Sequence, residues 1–174
     1  GAVRVTLQEI SFTSANGRDT IQAWLHTPIA EPKAIVQIVH GLGEHSRRYL
    51  HLISALLDEG FAVAAGDHSG HGRTAMRSGI WADAGDDAAR VVVDDELALL
   101  ARVRQELPGV PVVVFGHSWG SMIARVLAAQ PDVELAGLAL GGIAAQMRGI
   151  ESTLDRDMLA RLSAGEGRAE PAPD

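Results

Sequence analysis

The sequence has no cysteine, no long apolar run and no excess of basic residues among its 174 positions. Without cysteine there can be no disulfide framework and no thiolate metal site. The longest apolar runs, 110–115 and 135–140, are too short to span a bilayer, so we expect no transmembrane segment. A formal net charge of −7 disfavours nucleic acid and anionic membranes as electrostatic partners. The first residues lack the basic start and apolar stretch of a secretory signal, which favours a cytoplasmic location.

The rest of the composition is that of one globular domain, with 47% hydrophobic and 21% charged residues. Two alternating segments flank Asn16-Gly17 and predict a β-hairpin. After it, apolar segments typical of buried strands alternate with segments of helical periodicity. We expect hairpin strands at 4–14 and 20–28, buried strands at 34–41, 61–68, 110–115 and 135–142, and helices at 47–60, 86–107 and after Ser118. This order predicts an α/β fold, a mostly parallel sheet of about six strands with helices on both faces.

Two of these segments carry more detailed expectations. The glycine-rich stretch 69–79 is interpreted as a loop. In the long helix, Asp86 and Asp87 suit the positive N-terminus. Its buried face is expected to carry Val93, Leu97, Leu100 and Leu107.

A serine lies in the turn between a predicted strand and a predicted helix, in the sequence Gly116-His117-Ser118-Trp119-Gly120. This pattern, G-x-S-x-G, is typical of a nucleophile elbow, in which a strained turn holds the serine Oγ above the sheet. Side chains at 116 and 120 would collide with the neighbouring strand and helix. Ser118 is therefore the candidate nucleophile, and the alternative is a glycine-rich turn with an incidental serine.

A second glycine-containing loop, His40-Gly41-Leu42-Gly43-Glu44-His45, follows the third predicted strand. Attack by a serine on an acyl carbonyl creates an alkoxide that needs fixed N–H donors. We assign these donors to the backbone amides of Leu42 and Trp119, the second being the residue after the nucleophile. His40 and His45 are interpreted as hydrogen-bonded supports of the loop rather than proton-transfer groups.

A third segment, Asp67-His68-Ser69-Gly70-His71-Gly72, contains a His-x-x-His spacing that metal sites also use. Zinc sites need three or four converging ligands with supporting partners, and no second pair with ligand spacing is present. We therefore interpret this segment as a structural loop and expect no metal.

Together these three segments resemble the α/β-hydrolase superfamily, and within it the monoacylglycerol lipase and lysophospholipase-like branch of serine hydrolases. The resemblance extends over about 5–143 and is carried most specifically by residues 40–49, whose pattern is HGxGEHxxRY. It implies a carboxylic ester hydrolase that needs no cofactor and acts through an acyl-enzyme on acylglycerols, lysophospholipids or similar esters. The residues expected to support the site are His40, Gly41, Gly43, Gly116, His117 and Gly120. Thr74 and Ser121 are small departures from the branch, which commonly has serine and glycine there.

The large departure concerns the catalytic triad, whose order in this superfamily is serine, then acid, then histidine. All seven histidines lie at or before position 117, so no histidine follows Ser118. None of the later aspartates occupies the expected position of the acid: Asp132, Asp155, Asp157 and Asp174. We expect both groups on polypeptide outside this sequence, and the 174 residues alone to be inactive and prone to aggregate. Residues 1–145 are then the N-terminal part of a hydrolase core, and 146–174 the partly mobile start of a helical cap, with the C-terminal part of the core absent.

The cap segment carries an apolar series that either lines an acyl pocket or packs as an ordinary helix: Met147, Ile150, Leu154, Met158 and Leu162. Through this cap the protein could contact a membrane surface transiently. Two other functions stay open. One keeps the fold but changes the chemistry, to a cofactor-free haloperoxidase, a C–C hydrolase or a peptidase. The other is a non-catalytic binding module. The acyl-chain preference and the oligomeric state do not follow from the sequence.

Overall fold

The structure is a computed structural model that describes residues 5–141. One six-stranded sheet has the order β1-β2-β4-β3-β5-β6. Its strands are β1 (Val5–Thr13), β2 (Thr20–Pro28), β3 (Ile35–Val39), β4 (Ala62–Asp67), β5 (Val112–His117) and β6 (Gly137–Gly141). The helices are a 3₁₀ turn (Ser46–Tyr49), α1 (Leu50–Asp58), α2 (Gly72–Ser78), α3 (Ala88–Glu106) and α4 (Trp119–Ala128). β2 is antiparallel to β1 and to β4, whereas β4, β3, β5 and β6 are parallel, as expected.

Each face of the sheet has its own apolar core, because successive residues of a strand point to opposite faces. On β3, Ile35 and Val39 belong to the core formed with α3 and α4, whereas Val36 and Ile38 belong to the core formed with α1. The four parallel strands are mostly apolar because helices cover them on both sides, and their exceptions, Gln37, Asp67 and His117, are buried. The predicted layer arrangement is therefore confirmed.

The hairpin turn between β1 and β2 is closed by the residues that predicted it. Gly17 has φ +70°, and the Oδ1 of Asn16 accepts the N–H groups of Arg18 and Asp19. The turn is also fixed to α3, since the carboxylate of Asp95 accepts the Ser14 hydroxyl and the Ala15 N–H, both at 2.7 Å. These two hydrogen bonds tie the hairpin turn to α3.

The stretch 69–79 is not simply a loop, because α2 occupies most of it. The backbone N–H of Arg73 in the first turn of α2 donates to Asp67 Oδ2 at 2.8 Å. The Thr74 hydroxyl donates to the carbonyl of Asp67 at 2.7 Å and accepts the N–H of Gln22. The helix ends at Gly79, whose φ is +75°. The cap thus comes from the preceding strand rather than from the residue before the helix.

The predicted buried face of the long helix α3 is confirmed at Val93 and Leu100, which are core residues, but not at the other two positions. The helix begins at Ala88, and Asp87 pairs with Arg90 at 2.8 Å instead of capping the helix with its side chain. Leu97 and Leu107 are only partly buried, whereas Leu99 and Val103 are in the core. Asp95 and Glu96 are also buried.

No helix of the described range is long and apolar enough to cross a membrane. The predicted cap, 146–174, and its apolar series lie outside the described residues.

Candidate active site

Ser118 occupies the turn between β5 and α4 and has a strained backbone. Its φ of 56° and ψ of −124° fall in a region that a residue with a side chain rarely adopts. Ser118 is half-buried, while the six residues of β5 before it and Gly120 after it are buried. Strain of this kind persists only when the surrounding structure fixes it, and it is characteristic of functional turns.

The two glycines that flank the serine allow close packing of the turn, as predicted. A Cβ at Gly120 would collide with the backbone carbonyls of Val39 and His40 at the end of β3. A Cβ at Gly116 would collide with the carbonyl of Gly120 and lie 2.8 Å from the Cβ of Ala124. Helix α4 therefore approaches β3 and β5 so closely that only glycine fits at these positions.

The loop that follows β3 lies against this turn. A Cβ built on Gly41 would lie 3.2 Å from the carbonyl oxygen of His117 and 3.4 Å from the Cβ of Ser118. Leu42 is 61% exposed, and Gly43 has φ +70°. The structure thus brings the Gly41–Gly43 segment next to Ser118, and Trp119 begins α4, where the first backbone N–H groups have no partner within the helix.

Glu44 organises this loop from inside, a role that the sequence analysis did not assign. Its carboxylate is buried and accepts the N–H of Gly41 at 3.0 Å and the hydroxyl of Tyr49 at 2.6 Å. The guanidinium of Arg48 lies 3.6 Å away. Burial, followed by the hydrogen bond to Glu44, raises the pKa of Tyr49, so its hydroxyl remains a donor. The Glu44 side chain therefore holds this loop together through contacts with Gly41, Tyr49 and Arg48.

His117 is buried beneath the turn. It is 1% exposed, and its Nδ1 lies 3.5 Å from Glu44 Oε1. The ring also lies against Gly141 of β6, where a Cβ would come within 2.8 Å of His117 Cδ2. The Nδ1 of His117 has no hydrogen-bond partner among the described residues, so the ring contributes packing against β6 rather than a hydrogen bond to the loop.

His40 supports the loop through its own hydrogen bonds, as expected. Its Nε2 accepts the backbone N–H of His68 at 3.0 Å, and its Nδ1 donates to the carbonyl of Gly41 at 2.8 Å. Complete burial lowers the pKa of His40 to about 3, so the ring is neutral. For His45 the expectation is not met at one atom, since its buried Nδ1 has no hydrogen-bond partner among the described residues.

A buried polar chain continues from His40 to helix α3. His68 Nε2 donates to the carbonyl of His40 at 3.0 Å, and its Nδ1 faces Glu96 Oε1 at 3.6 Å. Gln37 of β3 donates to Glu96 Oε2 at 2.7 Å. Burial raises the pKa of Glu96 to about 8 and lowers that of His68 well below its ordinary value. Both groups are therefore uncharged at neutral pH, and this chain was not foreseen.

The third predicted segment serves as a structural loop. Asp67 accepts the backbone N–H of Ser46 at 2.7 Å and that of Arg73 at 2.8 Å, and His71 Nδ1 bonds the carbonyl of Ser69 at 3.0 Å. Over residues 5–141, no three His, Asp or Glu side chains are grouped so that they could hold a metal ion.

The strand order, the parallel β3-α-β4 and β5-α-β6 units and the serine turn together define an α/β hydrolase. A family model described as serine aminopeptidase, S33 (Hydrolase_4) matches residues 30–162, and the chain belongs to this family.

Curated relatives are similar over the same region. Human monoglyceride lipase is 36% identical over 113 residues, which is 65% of this chain and 36% of that protein. The monoacylglycerol lipase of Mycolicibacterium smegmatis is 32% identical over 141 residues, 80% of this chain and 48% of that protein. The chain therefore spans less than half the length of these relatives.

Solved structures agree with the fold. A lipase in an open form is 65% identical with a TM-score of 0.77, covering 90% of this chain and 50% of its own. A thermostable carboxyl esterase from Bacillus coagulans is 52% identical with a TM-score of 0.74, covering 78% of this chain and 44% of its own.

Proposed function

We propose that Ser118 is the nucleophile of a carboxylic ester hydrolase and forms an acyl-enzyme. The observation that carries this proposal is the positive φ of 56° at Ser118, in a turn where glycines 116 and 120 permit contact with β3. A fold maintains such strain where the side chain has to project from the sheet.

The proposed oxyanion donors are the backbone N–H groups of Leu42 and Trp119. The contact between Gly41 and the Ser118 turn supports this pairing, because it brings the two segments together. As Ser118 Oγ attacks the acyl carbonyl, its proton leaves and the carbonyl oxygen gains a negative charge. Each fixed donor near that oxygen is worth about 3 kcal/mol in the transition state.

The reaction also requires a base for the serine proton. His40 and His68 are buried, their ring nitrogens are engaged with backbone groups, and burial lowers the pKa of each, so neither suits this role. No histidine follows position 117. The proposal therefore needs a histidine and a carboxylate from polypeptide outside these residues, and the relatives are more than twice as long as the segments they share with this chain.

For the substrate we propose acylglycerols or similar esters of glycerol and fatty acids. The names of the human and mycobacterial relatives and of the Bacillus coagulans esterase support this class. Lysophospholipids belong to the proposal through the sequence resemblance alone. A peptidase is the second candidate, because the family description is that of an aminopeptidase.

The test is fluorophosphonate labelling of the full-length protein, in which Ser118 should be modified covalently. Ser118→Ala should abolish labelling and lower kcat by about 10⁴-fold or more on monoacylglycerols. Ser54→Ala, an exposed serine on α1, is the matched control and should label normally. Turnover of aminoacyl amides in preference to monoacylglycerols would favour the peptidase. Undiminished labelling of Ser118→Ala would show that the proposed nucleophile is wrong.

A further inference from the structure

A cleft of about 560 Å³ lies away from the Ser118 turn, on the open face of β1, β2 and β4. Its walls are the start of α1 with the 3₁₀ turn before it on one side and α2 on the other. The volume is within the range of sites that hold one small organic molecule.

Three arginines and one glutamate supply the fixed charges of the cleft: Arg47, Arg73, Arg77 and Glu9. Guanidinium groups remain charged at all relevant pH values. The cleft therefore carries an excess of positive charge on a chain whose formal net charge is −7. Such a local reversal of sign favours an anionic ligand.

Two buried polar atoms of the cleft wall lack partners. Ser46 is 3% exposed, and its Oγ has no hydrogen-bond partner in the part of the chain that the structure describes. The same is true of the Nε of Arg47, the next residue. A buried donor without a partner costs roughly 1–3 kcal/mol, and a ligand oxygen that meets these atoms after a rotation of the two side chains into the cleft would remove that cost.

The two cationic walls are held at a fixed separation by one side chain. Asp67, which is fully buried, accepts the backbone N–H of Ser46 through Oδ1 and that of Arg73 through Oδ2. Binding an anion between Arg47 and Arg73 would therefore require little rearrangement of the backbone. Preorganisation of this kind lowers the entropic cost of binding.

The rest of the lining is apolar. Trp24 of β2 and Ile53 of α1 line the cleft between the arginine walls. Leu7, Leu50 and Met76, which also line it, are each more than half exposed. A ligand with only a charged head would leave this apolar surface in water. An attached alkyl chain would cover it, and each Å² of apolar surface removed from water contributes about 25 cal/mol of favourable free energy.

We propose that this cleft is a second binding site, separate from the Ser118 turn, for a single-chain anionic amphiphile. The carboxylate or phosphate head lies between Arg47, Arg73 and the Ser46 hydroxyl, and the alkyl chain lies along Trp24 and Met76. Both head groups satisfy the same donors. This site does not depend on the proposed hydrolase activity.

The test is calorimetric titration of the full-length protein with octyl phosphate and with octanoate, each below its micelle concentration. We expect saturable binding of at least one of them, weakened about tenfold in Arg73→Gln and further in Arg47→Gln/Arg73→Gln, since a hydrogen bond to a charged group is worth about that factor. Whichever of the two compounds binds more tightly identifies the preferred head group. Arg102→Gln, which removes an exposed arginine on α3, is the matched control and should bind normally.

Further measurements separate the contribution of the charged head from that of the alkyl chain, and then locate the bound ligand. Octyl glucoside, which has the chain without the charge, and inorganic phosphate, which has the charge without the chain, should each bind at least tenfold more weakly.

A ligand brominated at the end of its chain should quench tryptophan fluorescence, and Trp24→Phe should remove most of that quenching. Met76→Glu, at a position 57% exposed, should weaken binding without unfolding the protein. Equal binding of octyl glucoside, or binding that is unchanged in the double arginine variant, would overturn the proposal.

Discussion

Glu44 and Glu96 are both almost completely buried, at 5% and 3% exposure, but different groups surround their carboxyls. Glu44 receives two hydrogen bonds, from an N–H and a hydroxyl, and has a guanidinium within 3.6 Å. The side chain of Glu96 receives one hydrogen bond, from Gln37, and faces a ring nitrogen of His68. Burial raises the pKa of Glu96 to about 8, so this carboxyl carries a proton at neutral pH.

The loop that follows β3, residues 40–45, is therefore supported in two different ways. Glu44 lies within the loop and accepts hydrogen bonds from it directly. Glu96 lies on α3 and reaches the loop only through His68, which in turn donates to the carbonyl of His40 in the loop. The carbonyl of His40 fixes the His68 tautomer in which Nε2 is the donor, and the unprotonated Nδ1 lies 3.6 Å from Glu96 Oε1. A buried carboxylate with several donors is costly to remove, while a neutral buried carboxyl can be replaced by an amide. The predictions below test this difference.

The largest effect is expected for Glu44→Ala. The change leaves the N–H of Gly41 and the hydroxyl of Tyr49 buried without an acceptor and opens a cavity. We expect the free energy of unfolding of the full-length protein to fall by about 3 kcal/mol or more, measured by urea denaturation. Glu59→Ala, at an exposed position after α1, is the control and should change it by about 0.5 kcal/mol or less. A loss at Glu44 no larger than at Glu59 would refute the role of Glu44 in the loop.

A smaller effect should separate the two glutamates when each is replaced by glutamine. Glu44→Gln keeps an acceptor for both hydrogen bonds but loses the attraction to Arg48, and we expect a cost of about 1–2 kcal/mol at pH 7. Glu96→Gln replaces a carboxyl that has to take up a proton on folding at pH 7 by an amide that is neutral in both states, so we expect no loss of stability at this pH, or a gain. Urea midpoints of the two variants, measured side by side, give the comparison. Equal costs would mean that the two carboxyls are in the same state.

The sequence was sufficient to predict the parts of the site that local patterns determine. The apolar run at 110–115, the glycines at 116 and 120 and the helix after Ser118 are neighbours in the chain, so their spacing predicted the strained turn. Helix α2 was missed because its cap, Asp67, belongs to the strand before it, and the glycines at 70 and 72 favoured a loop.

The buried state of Glu96 was missed for a different reason. Its partners, Gln37 and His68, lie 59 and 28 positions away, and no periodic pattern in α3 indicates them. The predicted face of α3 was correct at Val93 and Leu100, but it included Leu97 and Leu107, which are only partly buried, and omitted Leu99 and Val103. Charged residues on a helix are usually solvated, and only tertiary packing reverses this.

The smallest effect expected is a change in how stability depends on pH. Because burial raises the pKa of Glu96 from 4.5 to about 8, the folded protein binds a proton that the unfolded chain releases over this range. The contribution of Glu96 is therefore complete below about pH 4.5 and is lost as the pH rises towards 8. Glu96→Gln should remove this loss, so that the stability of the variant falls less than that of the parent protein between pH 6.5 and 8.

The window above pH 6.5 is chosen because two other buried groups act with the opposite sign below it. Burial lowers the pKa of His40 to about 3 and that of His68 well below 6.5, so the unfolded chain binds more protons there and stability rises with pH up to about 6.5. Above that value these histidines are neutral in the folded protein and lose their remaining protons in the unfolded chain by about pH 7.5. Since the variant keeps both histidines, the difference in slope between the parent protein and the variant belongs to Glu96. Melting temperatures of the parent protein and the variant in matched buffers measure it. Parallel curves between pH 6.5 and 8 would mean that Glu96 is ionised in the folded protein.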